Sequence, residues 1–98
     1  MATATTEPVW LIEATCAPDA AESRVPFRAE HLRRFVTLKE EGVVIEVGAV
    51  ADVSASVVML RAPSADAALE ICRQDVYTKN GIWVELRVRP FNRVVVAG

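Results

Sequence analysis

Two short segments of this chain carry the side chains best suited to acid–base chemistry. The only histidine, His31, stands in the segment Arg28-Ala29-Glu30-His31-Leu32. Much later comes Asp75-Val76-Tyr77, which supplies a carboxylate and the only tyrosine. Histidine exchanges a proton near neutral pH, and a neighbouring carboxylate would orient its ring and stabilise its cation. The two segments therefore predict a proton-transfer site if the fold brings them together.

Helical periodicity places His31 on the inward face of the first long helix. We predict this helix from Pro26 to Glu41, with Gly42 ending it. At about 100° per residue, His31 falls about 40° from Phe27, and Arg28 lies on the same apolar arc. That arc also holds Leu32, Phe35, Val36 and Leu38, whereas the expected solvated face carries Glu30, Arg33, Arg34, Thr37, Glu40 and Glu41. A histidine and an arginine three residues apart, both facing inward, suit a pocket for an anionic or oxygen-rich ligand.

Each of these residues also has a purely structural interpretation. His31 would be an imidazole at the edge of the core, hydrogen-bonded to a backbone carbonyl, and Arg28 would reach back to the preceding loop. Asp75 would N-cap the turn Val76–Asn80, which is the simpler role for it. Tyr77 would pack at the margin of the core with its hydroxyl in water. The sequence leaves both sets of interpretations open.

Composition limits the classes of protein to which the chain can belong. Its 98 residues predict a single domain over residues 1–98. A net charge of −2 with interspersed acids and bases argues against partners such as nucleic acid or an anionic membrane. Hydrophobic residues make up 52% of the chain, more than a small monomer needs. We therefore expect a homodimer or higher homo-oligomer.

The cysteines and the N-terminal segment predict a cytoplasmic protein. Cys16 and Cys72 have no metal-ligand spacing and are expected to fill the core of a protein in a reducing compartment. Residues 1–7 show no targeting segment, and we expect them to form a loose, flexible start. No apolar run approaches the roughly 20 residues that a membrane-spanning helix needs.

The order of the predicted elements indicates a ferredoxin-like α+β fold with an antiparallel sheet, β-α-β-β-α-β. The four strands are predicted at Val9–Cys16, Val43–Val47, Ser56–Arg61 and Ile82–Pro90. The second helix is predicted between the last two strands, with Ser64 as its N-cap. Both helices cover one face of such a sheet. We expect the other face to dock on a second copy, except at the last strand, where one face is charged. That strand is expected to lie at an edge or to line a cavity.

The same residues resemble a known family of small proteins. Arg28-x-x-His31-Leu32, Asp75-Val76-Tyr77, Gly81 and Arg89-Pro90-Phe91 follow one another in the order typical of the YciI-like (YCII-related) family. The resemblance implies a ferredoxin-like fold that pairs as a dimeric α+β barrel, with His31 and Asp75 as the active-site pair. The few members with an assigned reaction point to elimination or isomerisation on small ring compounds. Val76 replaces the family's proline, and the short stretch from Gly48 to Ser56 lacks the Gly-Pro and Gly-rich character of many relatives.

We therefore predict a cofactor-independent enzyme, a lyase or isomerase acting on a small cyclic or carbonyl-bearing metabolite, with neither metal nor cofactor. His31 would be the general acid–base and Asp75 would orient it. Arg28 would hold a carboxylate or a developing oxyanion, and Tyr77 would donate a hydrogen bond or line the pocket. One alternative is a non-catalytic ligand-binding or accessory dimer. Another, by analogy of fold alone, is a cofactor-free or haem-handling oxygenase.

Overall fold

A computed structural model describes residues 2–98 of the chain. Its elements are β1 (Ala4–Cys16), α1 (Ala20–Ser23), a 3₁₀ turn (Val25–Phe27), α2 (Arg28–Glu40), β2 (Val44–Ala49), β3 (Ala55–Leu60), α3 (Ala65–Arg73), α4 (Val76–Lys79) and β4 (Trp83–Val96). The strands form one antiparallel sheet in the order β2-β3-β1-β4. This is the predicted ferredoxin-like α+β fold, and β4 lies at an edge as expected.

The core lies between one face of the sheet and the helices α2 and α3. Alternate strand residues turn toward the helices, so that Ile12, Val58 and Leu60 are fully buried. Phe35 from α2 and Cys72 from α3 pack against them. Burial of each large apolar side chain contributes about 1.5–3 kcal/mol, which fixes both helices on the sheet. The residues that α2 and α3 turn inward therefore have well-defined positions.

The first strand begins earlier than predicted. The segment expected to be a loose start pairs instead with the end of the chain, in a register that runs from Ala4 opposite Val96 to Glu7 opposite Arg93. Glu7 also forms ion pairs with Arg61 and Arg93. The prediction of a flexible start is therefore wrong from Ala4 onward, because backbone pairing with β4 orders residues that have little apolar surface. Met1 lies outside the described residues.

The first long helix is shorter than predicted at its N-terminus. Pro26 lies in a 3₁₀ turn, and regular α-helix begins at Arg28. The helix stops at Gly42 as expected, where a φ of +77° favours glycine. Leu32 and Val36 were expected on the apolar arc but are 47% and 56% exposed, because the sheet covers only the stripe around His31 and Phe35.

The second half of the chain follows the predicted capping pattern. Ser64 N-caps α3, its hydroxyl accepting a hydrogen bond from the Ala67 amide at 3.1 Å. Asp75 N-caps α4 by accepting from the Tyr77 amide at 3.0 Å. Within residues 2–98, every helix is too short or too polar to cross a bilayer.

Candidate active site

The structure brings His31 and Asp75 into direct contact. His31 projects inward from the first turn of α2, and Asp75 occupies the junction between α3 and α4. The Nδ1 atom of His31 lies 2.6 Å from Oδ2 of Asp75, although the two residues are 44 positions apart. The carboxylate is completely buried and the imidazole is 7% exposed. Sequence reasoning paired these residues, and the fold supplies the contact.

Asp75 serves as a helix cap and as the partner of His31 at the same time. Its Oδ2 accepts from the Tyr77 amide as well as from His31, and its Oδ1 accepts from Nη1 of Arg34 at 3.1 Å. Three donors therefore surround a carboxylate that has no access to water. These hydrogen bonds offset the cost of burying a carboxylate. The structural and functional interpretations of Asp75 are compatible.

Arg34 belongs to this site, although we predicted it on the solvated face of α2. Its Nη1 binds Asp75, and its Nη2 donates to the carbonyl oxygen of Ile71 at 2.7 Å. The side chain, 30% exposed, runs along the margin of the core to reach them. Its position three residues after His31 is the sequence signal for a shared helix face.

Three aromatic rings hold the His31 imidazole in one orientation. Tyr77 stacks on it, with ring centroids 3.7 Å apart and planes 4° apart. Trp83 meets it edge-on with a centroid distance of 5.3 Å, and Phe35 lies 4.9 Å away at a tilt. Stacking on one side and edge contact on another restrict rotation of the imidazole. The ring is thereby kept in line with Asp75.

The second ring nitrogen of His31 remains available for chemistry. Within the described residues Nε2 has no hydrogen-bond partner, and the atom is not completely buried. His31 lines a cavity between α2 and the sheet. When Nδ1 carries the proton of the neutral ring, it donates a hydrogen bond to Asp75 and Nε2 keeps its lone pair. His31 can therefore act as a base at the cavity, with Asp75 fixing the orientation of its ring.

The cavity is about 160 Å³ in volume and is open to solvent on one side. An apolar cavity of about this size admits a single six-membered ring. Val47 and Ile82 form part of the apolar wall, and Arg24 and Arg28 lie toward the solvent side. The loop between β2 and β3 contributes Val53, whose φ of +59° is unusual for a β-branched residue. The short Gly48–Ser56 stretch therefore shapes the pocket.

Arg28 and Tyr77, which the sequence analysis proposed as substrate-binding residues, both line this cavity. Arg28 stays exposed at the rim, whereas Tyr77 is almost fully buried. Burial raises the pKa of the Tyr77 hydroxyl, and the nearby guanidinium groups of Arg24 and Arg28 oppose that rise. Tyr77 is therefore a neutral hydrogen-bond donor at physiological pH, close to two cationic groups.

Ser56 is a second site residue that sequence reasoning missed. Its hydroxyl lies on the cavity wall and accepts a hydrogen bond from Nε1 of Trp83 at 3.2 Å. The Sγ atom of Cys16 is 3.9 Å from the same oxygen. Ser56 precedes Val58 and Leu60 on the inward-facing register of β3. A serine in an otherwise apolar alternation was the available signal.

The cysteines pack in the core as predicted. Both are free thiols, and Cys16 contributes to the cavity wall. Burial, reinforced by the charge of Asp75, raises the pKa of Cys72 to about 12, so this thiol stays protonated. Among residues 2–98, no three His, Cys, Asp or Glu side chains are grouped to hold a metal ion.

Comparison with known proteins adds a fold relative and a family. A solved structure of 5-chloro-2-hydroxyhydroquinone dehydrochlorinase (TftG) from Burkholderia phenoliruptrix AC1100, in complex with 2,5-dihydroxybenzoquinone, is similar with a TM-score of 0.71. It is 22% identical, and the alignment covers 85% of this chain and 92% of that one. No curated protein sequence matches the chain significantly. The model of the YCII-related domain matches residues 9–92, and the chain therefore belongs to the YCII-related family.

Proposed function

We propose that this protein is a cofactor-independent enzyme that moves a proton on a small cyclic or carbonyl-bearing metabolite, with elimination or isomerisation as the outcome. The observation that carries the proposal is the 2.6 Å contact between His31 Nδ1 and Asp75 Oδ2 beside a cavity of single-ring size. A histidine oriented by a buried carboxylate is suited to general base catalysis. TftG, which shares the fold, is by its name a dehydrochlorinase.

In the proposed reaction, Nε2 of His31 removes a proton from a carbon next to the substrate's carbonyl group. The electron pair of the broken C–H bond forms a carbon–carbon double bond. In an elimination the leaving group departs with its own bonding pair, and in an isomerisation the imidazolium returns the proton to another carbon. Asp75 stabilises the imidazolium in both cases.

Two further residues would stabilise charge on the substrate. As the proton leaves carbon, negative charge accumulates on the carbonyl oxygen, and a nearby cation or neutral donor lowers the barrier. Arg28 at the cavity rim supplies the cation. Tyr77, held neutral by its burial, supplies an O–H donor in the same cavity.

The general-base role is testable with cyclohexanone in D2O, a single ring whose α-protons exchange for deuterons when a base removes them and solvent returns a deuteron. Loss of the α-proton resonance allows the exchange to be followed by ¹H NMR. We expect the protein to accelerate this exchange, His31→Ala to abolish the acceleration, and Asp75→Asn to reduce it by about tenfold or more.

Two variants control this assay. His31→Gln keeps a polar side chain at the position, so that loss of rate in both His31 variants is not a packing effect. Glu30→Gln changes an exposed neighbour on α2 and should react like the parent. Equal rates for the parent and both His31 variants would remove His31 from the mechanism. A bound small molecule that is recovered unchanged after long incubation would favour a binding protein.

We further propose that the sheet face turned away from the helices pairs with a second copy of the chain. In the register of the sheet, Leu11 lies opposite Met59 on this face, and Val57 beside them is 37% exposed. Charges border this face on both sides, because Glu13 lies opposite Arg87 toward the β4 edge and Glu46 lies opposite Met59 on β2. An apolar surface bordered by charges is typical of a homodimer interface.

Sedimentation velocity tests the dimer. Val57→Asp would place an uncompensated carboxylate in the apolar part of the interface and is expected to yield monomers. Val36→Asp makes the same change on the exposed side of α2 and should leave the sedimentation coefficient unchanged. A parent protein that sediments as a monomer at micromolar concentration would contradict the proposal.

A further inference from the structure

We propose that the cavity beside His31 selects small single-ring anions, and that Arg24 acts with Arg28 to recognise the negative charge at the rim. This inference rests on the proposed function, because it defines the class of ligand for the same site. Sequence reasoning assigned Arg28 a binding role, whereas Arg24 lies outside the motif of the family resemblance.

Local backbone structure places both arginines and His31 on one side of a nearly continuous helical segment. The Arg24 amide donates to the Ala20 carbonyl at 3.0 Å, and the Arg24 carbonyl accepts from the Phe27 amide at 2.9 Å. The chain thus continues from α1 through the 3₁₀ turn into α2 without an extended residue. Arg28 and His31, three residues apart, share a face of α2, and Arg24, one turn before Arg28, lines the same cavity.

The charge lining the cavity is entirely positive. Arg24 and Arg28 both contribute to its wall, and among the described residues no aspartate or glutamate does so. Within residues 2–98, neither arginine forms an ion pair, although Arg34, Arg61 and Arg93 do. Two guanidinium groups without a carboxylate partner favour an anionic oxygen from a ligand.

The arginines lie nearer the solvent than the buried part of the cavity wall, and this difference determines where the charge and the ring of a ligand would lie. Arg28 is exposed and Arg24 is half-buried, whereas Ser56 and Phe35 on other parts of the wall are buried. A ligand would therefore place its ring in the apolar interior and its ionised oxygen at the rim. A carboxylate, phenolate or enolate on one ring meets both requirements in a volume of about 160 Å³.

Binding of benzoate and of its neutral isostere benzamide tests the inference without requiring turnover. The resonances of the single histidine report binding beside His31 in an NMR titration at constant pH. We expect benzoate to bind about tenfold more tightly than benzamide, since charge-assisted hydrogen bonds exceed neutral ones in strength. High salt should weaken benzoate binding and leave benzamide binding unchanged.

Two variants that each remove one arginine charge test whether the preference for benzoate depends on Arg24. Arg24→Gln should weaken benzoate binding about fivefold and leave benzamide binding unchanged. Arg33→Gln, on the exposed side of α2, should change benzoate binding less than about twofold, because a distant exposed charge is screened.

Three results would overturn the inference. They are equal affinity for benzoate and benzamide, equal effects of Arg24→Gln and Arg33→Gln, and no shift of the His31 resonances at saturating benzoate. The proposed function fails on a different observation, namely unchanged α-proton exchange of cyclohexanone by the His31 variants. A protein that binds benzoate through Arg24 but does not depend on His31 for catalysis would be an anion-binding module.

Discussion

The Tyr77 ring lies parallel to the His31 imidazole, with centroids 3.7 Å apart and planes 4° apart. The Tyr77 amide also binds the carboxylate that contacts His31, so this one residue fixes the imidazole from its face and its partner from the backbone. The short helix α4 therefore positions both members of the pair. The Asp-x-Tyr spacing couples a helix cap to a stacked ring.

Substitution of Tyr77 separates the role of its ring from that of its hydroxyl. Tyr77→Phe keeps the stack and should leave the free energy of unfolding close to that of the parent. Tyr77→Leu removes the stack and should cost at least about 1 kcal/mol more, in the range of measured aromatic pairs. Urea denaturation measures both values. Equal losses in the two variants would show that the stacked ring contributes nothing beyond its apolar area.

Removal of Arg34 should destabilise the fold by leaving Asp75 with fewer donors. Arg34→Ala deletes the bonds to Asp75 Oδ1 and to the Ile71 carbonyl, and we expect a loss of about 1–3 kcal/mol. Arg34→Lys keeps the charge but not the planar fork that reaches both acceptors, and should recover only part of the loss. Thermal unfolding of these variants and of Arg33→Ala provides the test. A loss no larger than that of Arg33→Ala would contradict the assigned role.

The ion pairs of Glu7 predict a specific dependence of stability on pH. Hydrogen bonds from Arg61 and then Arg93 lower the pKa of Glu7 from 4.5 to about 2 in the folded protein. The pairs therefore stabilise the fold fully above the unfolded value of 4.5, and this contribution is lost as the pH falls toward 2.

Melting temperatures measured between pH 7 and pH 2 test the Glu7 prediction. Parent protein should melt above Glu7→Gln at pH 7, and the difference should disappear at the acidic end of the range. Glu30→Gln, at an exposed helix position, controls for the loss of one carboxylate. A difference between parent and Glu7→Gln that stays constant with pH would rule out the ion pairs as its source.

Loss of the Ser56 hydroxyl should leave a buried donor without a partner. In Ser56→Ala the Nε1–H of Trp83 loses its acceptor, which we expect to cost about 1–3 kcal/mol in the free energy of unfolding. Because Trp83→Phe removes the same donor, Ser56→Ala should cost less in that background. A double-mutant cycle by urea denaturation measures the coupling. Additive losses would show that the hydrogen bond is energetically unimportant.

Patterns within short stretches of sequence predicted most of the fold. Helical spacing placed His31 inward, Ser64 and Gly42 marked helix ends, and strand alternation gave the element order. The extension of β1 to Ala4 depends on a partner segment almost the full length of the chain away. Pairing at that separation leaves no periodic signal in a polar segment such as residues 4–7.

The candidate site was predictable in its types of residue and less so in its supporting contacts. His31 and Asp75 could be identified from the sequence because each is a titratable side chain at a position where one is unusual. Arg34 did not, because an arginine beside the solvated residues of a helix is ordinary unless its side chain turns toward the core. Its partners on α3 and at the α3–α4 junction are set by the packing of α2 against α3, which the sequence does not specify.

The tautomer of His31 tests the central claim most directly. The single histidine allows unambiguous assignment of its two ring nitrogens by ¹⁵N NMR, at a pH where the ring is neutral. The proposed mechanism predicts a proton on Nδ1, held by Asp75, and an unprotonated Nε2 in the parent protein, with loss of this preference in Asp75→Asn. A parent protein whose proton resides on Nε2 would have no free base at the cavity and would contradict the mechanism.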